Sequence, residues 1–103
     1  MPYGYIASMK TQPGRRDEVI AILTSGADGL KSAGCELYVV SAAVDDEVTI
    51  WVTEVWQSKK HHDDSLHLPE TRAAIAQAMP MLAGDFFSQE TEVIGGLGVT
   101  GRP

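Results

Sequence analysis

The chain has 103 residues, with eight Lys and Arg against 14 Asp and Glu, for a net charge of −6. That length suits one domain, and 44% hydrophobic with 21% charged residues is a globular composition that argues against disorder. The acidic balance counts against a nucleic-acid partner, which calls for a basic stripe.

A chain this short buries only about 60–70% of its unfolded surface, so a partner subunit is a natural supplement to its core. Met1-Pro2-Tyr3-Gly4-Tyr5 has neither the basic nor the apolar part of a targeting signal. The longest nearly apolar stretch, Leu37 to Val44, is too short to cross a bilayer. Cys35 is the only cysteine and cannot form an internal disulfide. The expectation is a cytoplasmic protein with neither a membrane nor a nucleic-acid partner.

Tyr3 to Lys10 reads as a strand ending at the turn signal Thr11-Gln12-Pro13-Gly14. From Arg15 to Lys31, Val19, Ile22, Leu23, Ala27 and Leu30 fall at helical spacing, with Gly34 as a stop. Gly26 and Gly29 weaken the last turns, and Arg15 and Arg16 oppose the dipole at the start. Cys35–Val44 and Val48–Trp56 form a hairpin across Asp45-Asp46. Ser58 caps a short helix to Asp64. Pro69 opens another to about Met79, with Leu68, Ile75 and Met79 inward, and Pro80 ends it. Phe86 to Ile94 is a last strand.

This order is the split βαβ of an α+β, ferredoxin-like fold, with helices on one face of an antiparallel sheet. It makes a single domain, 1–103, with a core from about 3 to 98 and a flexible tail at 99–103. The other sheet face needs a cover, and a second copy of the chain supplies one.

All three histidines and both tryptophans lie between Trp51 and Arg72. Strand alternation puts Val52, Glu54 and Trp56 on one face and Trp51, Thr53 and Val55 on the other. Glu54 beside an indole on a buried face is either an acid or base with a raised pKa or a carboxylate that orders the fold. His61, His62, Asp63, Asp64 and His67 resemble a metal cluster, but His62 and His67 are five residues apart, off the one-face spacing, so no metal is expected. Gly96-Leu97-Gly98-Val99-Thr100-Gly101 matches GxGxxG, yet only two residues follow, too few for the helix that would meet a pyrophosphate. Cys35 beside Glu36 has no neighbouring cation to activate it.

Glu54-Val55-Trp56-Gln57-Ser58 followed by His62-Asp63-Asp64-Ser65-Leu66 resembles the antibiotic biosynthesis monooxygenase superfamily, as do Gly34-Cys35-Glu36-Leu37-Tyr38 and Tyr5-Ile6-Ala7. The nearest likeness is to small bacterial quinol monooxygenase-like proteins. The resemblance implies a dimeric α/β-barrel built from ferredoxin-like units, with a pocket between sheet and helices. It also implies oxidation of a small electron-rich aromatic (a quinol, anthrone or related phenolic) by O2 without flavin, metal or nicotinamide. Carried over by motif, Trp56 and His62 line that pocket.

Histidine is the natural base for a phenol or enol, which makes His62 the candidate catalytic residue. Trp56 would stack on a flat substrate, Tyr38 or Arg72 would donate to its anion, and Glu54 would contact it. The chain departs from the aromatic polyketide oxygenases in having no asparagine at all; Val52 stands four residues before Trp56. It departs from heme degraders too, with Ser65 and Ile75 where a helix tryptophan and histidine would fall. Two other readings use the same fold: a non-oxygenase enzyme (cyclase, isomerase or decarboxylase) and a dimer that only binds a small molecule.

Overall fold

The computed structural model describes residues 1–101. The expected tail, 99–103, therefore lies partly outside the described residues. In chain order the elements are β1 (Tyr3–Thr11), α1 (Arg16–Ser25), α2 (Ala27–Leu30), β2 (Cys35–Ala42), β3 (Thr49–Trp56), α3 (Lys59–Ser65), α4 (Pro69–Ala78) and β4 (Leu82–Glu92). Short 3₁₀ turns occupy Lys31–Ala33 and Met79–Met81. The sheet has four strands in the order β2-β3-β1-β4, with every neighbouring pair antiparallel. This is the ferredoxin-like α+β arrangement. No described helix is long and apolar enough to cross a membrane.

The long helix expected over Arg15–Lys31 is broken. It stops at Gly26, where φ is −107° and ψ is 9°, and resumes as one short turn. Thr24 Oγ1 and Ser25 Oγ bond back to the Ile20 and Ile22 carbonyls, which competes with the helical ladder just before the glycine. The unfavourable arginine at the helix start has a tertiary use. Arg16 Nη1 donates to the Asp46 carbonyl at 2.7 Å and the Ala43 carbonyl at 3.3 Å, tying α1 to the β2–β3 loop. Asp46 holds that loop from within, accepting from the backbone N–H of Val48 and Thr49.

Pairing registers set two faces. Tyr3, Tyr5, Ala7 and Met9 share the helix-side face with Ile50, Val52, Glu54 and Trp56, and with Tyr38 and Val40. Val19, Ile50, Val52, Ala78 and Met81 form the main core, with Ile22 and Leu23 packed against it. Ile75 and Met79, expected to face inward, are 48% and 53% exposed. The helix turns Ala78 to the sheet instead, and Met81 fills the core from the turn after it. A smaller core joins Tyr3, Cys35 and Trp56, with Leu30 and Tyr38 alongside.

The last strand starts four residues before the expected Phe86. It passes through a bulge, where pairing jumps from Ser8–Phe87 to Lys10–Gly84. Gly84 (φ 98°) and Asp85 (φ 54°) take the left-handed backbone the bulge requires. On the open face of the sheet, Trp51 and Phe87 flank Ser8 in register, their rings 6.0 Å apart at 63°. Val39, Trp51 and Phe87 are 43%, 39% and 49% exposed there.

Candidate functional site

A cleft of about 290 Å³ opens on the helix side of the sheet. Its lining includes Tyr5, Leu23, Tyr38, Val52, Glu54 and Phe86. Glu54 on the central strand β3 pairs in register with Tyr5 on one side and Tyr38 on the other, so a carboxylate lies between two phenols on one face. Glu54 Oε1 accepts from Trp56 Nε1 at 2.9 Å. The indole, 1% exposed, is core and reaches the cleft only through this bond.

His62 is brought to the same region by α3. Ser58 caps that helix, its Oγ accepting from the His61 backbone N–H. The His62 ring is buried, 4.7 Å from Tyr5, 5.1 Å from Tyr3 and 5.8 Å from Trp56 between centroids. Its Nδ1 lies 3.1 Å from Asp63 Oδ1. His62 thus sits behind Tyr5 and is absent from the cleft lining. Arg72 stands apart on α4, with Nη2 3.5 Å from Nδ1 of His67. Of the five residues singled out by sequence, the fold gathers Tyr38, Glu54, Trp56 and His62 and leaves Arg72 outside.

Electrostatics centre on Glu54. Burial pushes its carboxyl above the ordinary glutamate value, partly offset by the Trp56 hydrogen bond and by His62. Burial, with the Glu54 charge added, pushes the Tyr38 phenol up to about 12 and the Cys35 thiol up to about 11. Beside His62 runs an ionic chain that sequence reading missed. Tyr3 Oη donates to Glu90 Oε2 at 2.9 Å, and Lys59 Nζ bridges Glu90 at 2.9 Å and Asp63 at 3.7 Å. The hydrogen bond to His62, then the Lys59 charge, hold Asp63 below its ordinary value. The alternation Tyr3-Gly4-Tyr5 could have placed both tyrosines on one face. Glu90 could not be placed, because alternation within β4 does not say which residue of β1 it pairs beside.

His61 is occupied locally, with Nδ1 2.7 Å from Ser58 Oγ and its ring against Gly34. Among the described residues, no three His, Cys, Asp or Glu side chains are grouped so as to hold a metal ion.

The family profile for antibiotic biosynthesis monooxygenase matches residues 2–77. The chain belongs to the antibiotic biosynthesis monooxygenase family. It is 42% identical to a candidate antibiotic biosynthesis monooxygenase of Chloroflexus aurantiacus over 97% of this chain and 100% of that one, with a TM-score of 0.89. A candidate family protein from Caulobacter crescentus shares 22% identity, 91% of each chain and a TM-score of 0.83. A Mycobacterium tuberculosis protein at 18% identity, with 94% and 99% coverage and a TM-score of 0.81, shares the fold. No curated protein matches the sequence.

Proposed function

We propose that this family member oxidises a small electron-rich aromatic (an anthrone, quinol or related phenolic) with O2, and that no flavin, metal or nicotinamide takes part. The observation that carries this reading is the cleft itself: a half-buried carboxylate between two tyrosines, under an apolar rim of Leu23, Val52 and Phe86. Such a site suits a flat ring with one acidic position. Trp56 anchors Glu54, and His62 adds a compensating charge from behind Tyr5 when protonated. The base is one of these two groups, the Glu54 carboxylate or the His62 imidazole. Arg72 stands outside the cleft lining.

For an anthrone the sequence of steps balances. A benzylic C–H gives its proton to the protein, and the electron pair delocalises into the ring system. The carbanion passes one electron to O2, the two radicals combine as a hydroperoxide, and loss of water leaves a ketone. The sum is CH2 plus O2 giving C=O plus H2O. The reductant is the substrate.

A homodimer completes the reading. The open face carries Val39, Trp51 and Phe87, and β4 is an exposed edge strand of 11 residues. Two copies with these faces together would make the α/β-barrel. The test is product analysis with anthrones and benzoquinols under ¹⁸O2 and under argon. The expected product carries one ¹⁸O atom and is absent under argon. An unlabelled product formed equally under argon points to a cyclase, isomerase or decarboxylase, and saturable binding without product points to a binding protein.

A further inference from the structure

The groups on the cleft floor differ in what they still have free. Glu54 Oε1 is engaged by Trp56 Nε1. Oε2 of Glu54 and Oη of Tyr38 form no hydrogen bond among the described residues. Neither atom is sealed, because Thr11 Oγ1 is the only fully buried, unpartnered side-chain N or O there. Both residues line the cleft. Tyr38 and Glu54 are cross-strand partners on the helix-side face, their strands about 4.8 Å apart, so an acceptor and a donor open onto the same cleft.

We propose that Glu54 is the catalytic residue that takes the substrate proton, with Tyr38 donating a hydrogen bond to the oxygen on which charge develops. The inference rests on the cleft being the aromatic site, as proposed above. It also narrows the ligand to a planar, fused-ring molecule whose acidic C–H or O–H is conjugated to an oxygen at its edge. In the step, the C–H or O–H bond breaks and the proton moves to Glu54 Oε2. The electron pair stays on the ligand as an enolate or phenolate, whose oxygen accepts from Tyr38 Oη. No oxidant enters this step. Burial supports the pairing by making the Glu54 carboxylate a stronger base, and the Tyr38 phenol, pushed up to about 12, stays a donor through the neutral range. His62, on the far side of Tyr5, has no comparable opening onto the cleft.

Proton transfer can be read without oxygen. Anthrone is incubated with the protein in D2O under argon, and loss of its methylene proton signal is followed by NMR against a boiled control. Cleft occupancy is read in parallel from the visible spectrum of 1,8-dihydroxyanthraquinone. The wild type should speed exchange. Glu54→Gln should slow it by about 100-fold or more, the usual worth of a positioned base, while the dye affinity stays within about threefold. Glu54→Asp should retain more exchange than Glu54→Gln, and Tyr38→Phe should lose about tenfold or more. Wild-type exchange rates in Glu54→Gln with the dye still bound would overturn the assignment and leave the cleft reading standing. Absence of both dye binding and exchange in the wild type would overturn both.

Discussion

Replacing Trp56 by phenylalanine tests the electrostatic centre of the site. The indole N–H donates to a half-buried carboxylate at 2.9 Å, and the ring is 1% exposed among Tyr3, Cys35 and His62. A hydrogen bond to a charged group contributes about 1.5–3 kcal/mol, against about 0.5–1.5 for a neutral pair. Loss of the second ring's packing adds about 1–2 kcal/mol, given partial relaxation of the void. The expected cost of Trp56→Phe is therefore about 2.5–5 kcal/mol at pH 8. In the Glu54→Gln background the bond is neutral, so the same change should cost about 1 kcal/mol less. Urea unfolding followed by far-UV circular dichroism, at one protein concentration, measures all four corners of the cycle. An equal cost in both backgrounds would refute the charge-assisted bond.

Glu54→Gln alone should stabilise the protein at pH 8. The folded state holds the Glu54 proton more tightly than the unfolded chain does, so wild-type stability falls as pH rises through the raised range. The gain should shrink toward the ordinary glutamate pKa and vanish below it, and a destabilised variant at pH 8 would contradict this sign. Cys35 is buried, with its thiol pushed up to about 11. At pH 8 it should react with a disulfide reagent far more slowly in the folded protein than in urea, and equal rates would refute its burial. Phe87→Asp should convert the proposed dimer to monomer in sedimentation velocity by placing a charge on the open face. A variant that sediments like the wild type would remove that face from the interface.

The architecture was legible because each buried segment keeps a clear period. The alternation of Thr49–Trp56 put Val52, Glu54 and Trp56 on one face, and the registers of β1 and β2 agree with it. Ser58 and Pro69 announced their helix starts by local chemistry. What failed was what local pattern cannot carry. Ile75 and Met79 have the spacing of core residues, yet two-layer packing turned the smaller Ala78 inward so that α4 could approach the sheet. The bulge at Gly84-Asp85 lets β4 begin at Leu82, before the alternation that starts at Phe86, and no alternation rule foresees it.

Within the site, Glu54 and Tyr38 were marked by residue type and position, but their juxtaposition came from register. His62 attracted attention as a histidine in a motif. The fold places it behind Tyr5 because α3 follows the end of β3, where Trp56 pairs with Tyr3 at the start of β1. Arg72 was named as a donor to a substrate anion, and α4 carries it beside His67, outside the cleft lining.

Oxygen consumption by a cleft-blocked variant tests the central claim most directly. Ala7 lies on the cleft wall between Tyr5 and Met9, and Ala7→Phe would fill space that a flat ligand needs. Oxygen-electrode rates with anthrones and benzoquinols are compared for the wild type, Ala7→Phe and boiled protein, with circular dichroism confirming that the variant is folded. The account predicts wild-type uptake above autoxidation that falls to the boiled rate in Ala7→Phe. Uptake by the folded variant equal to the wild type would contradict catalysis in this cleft.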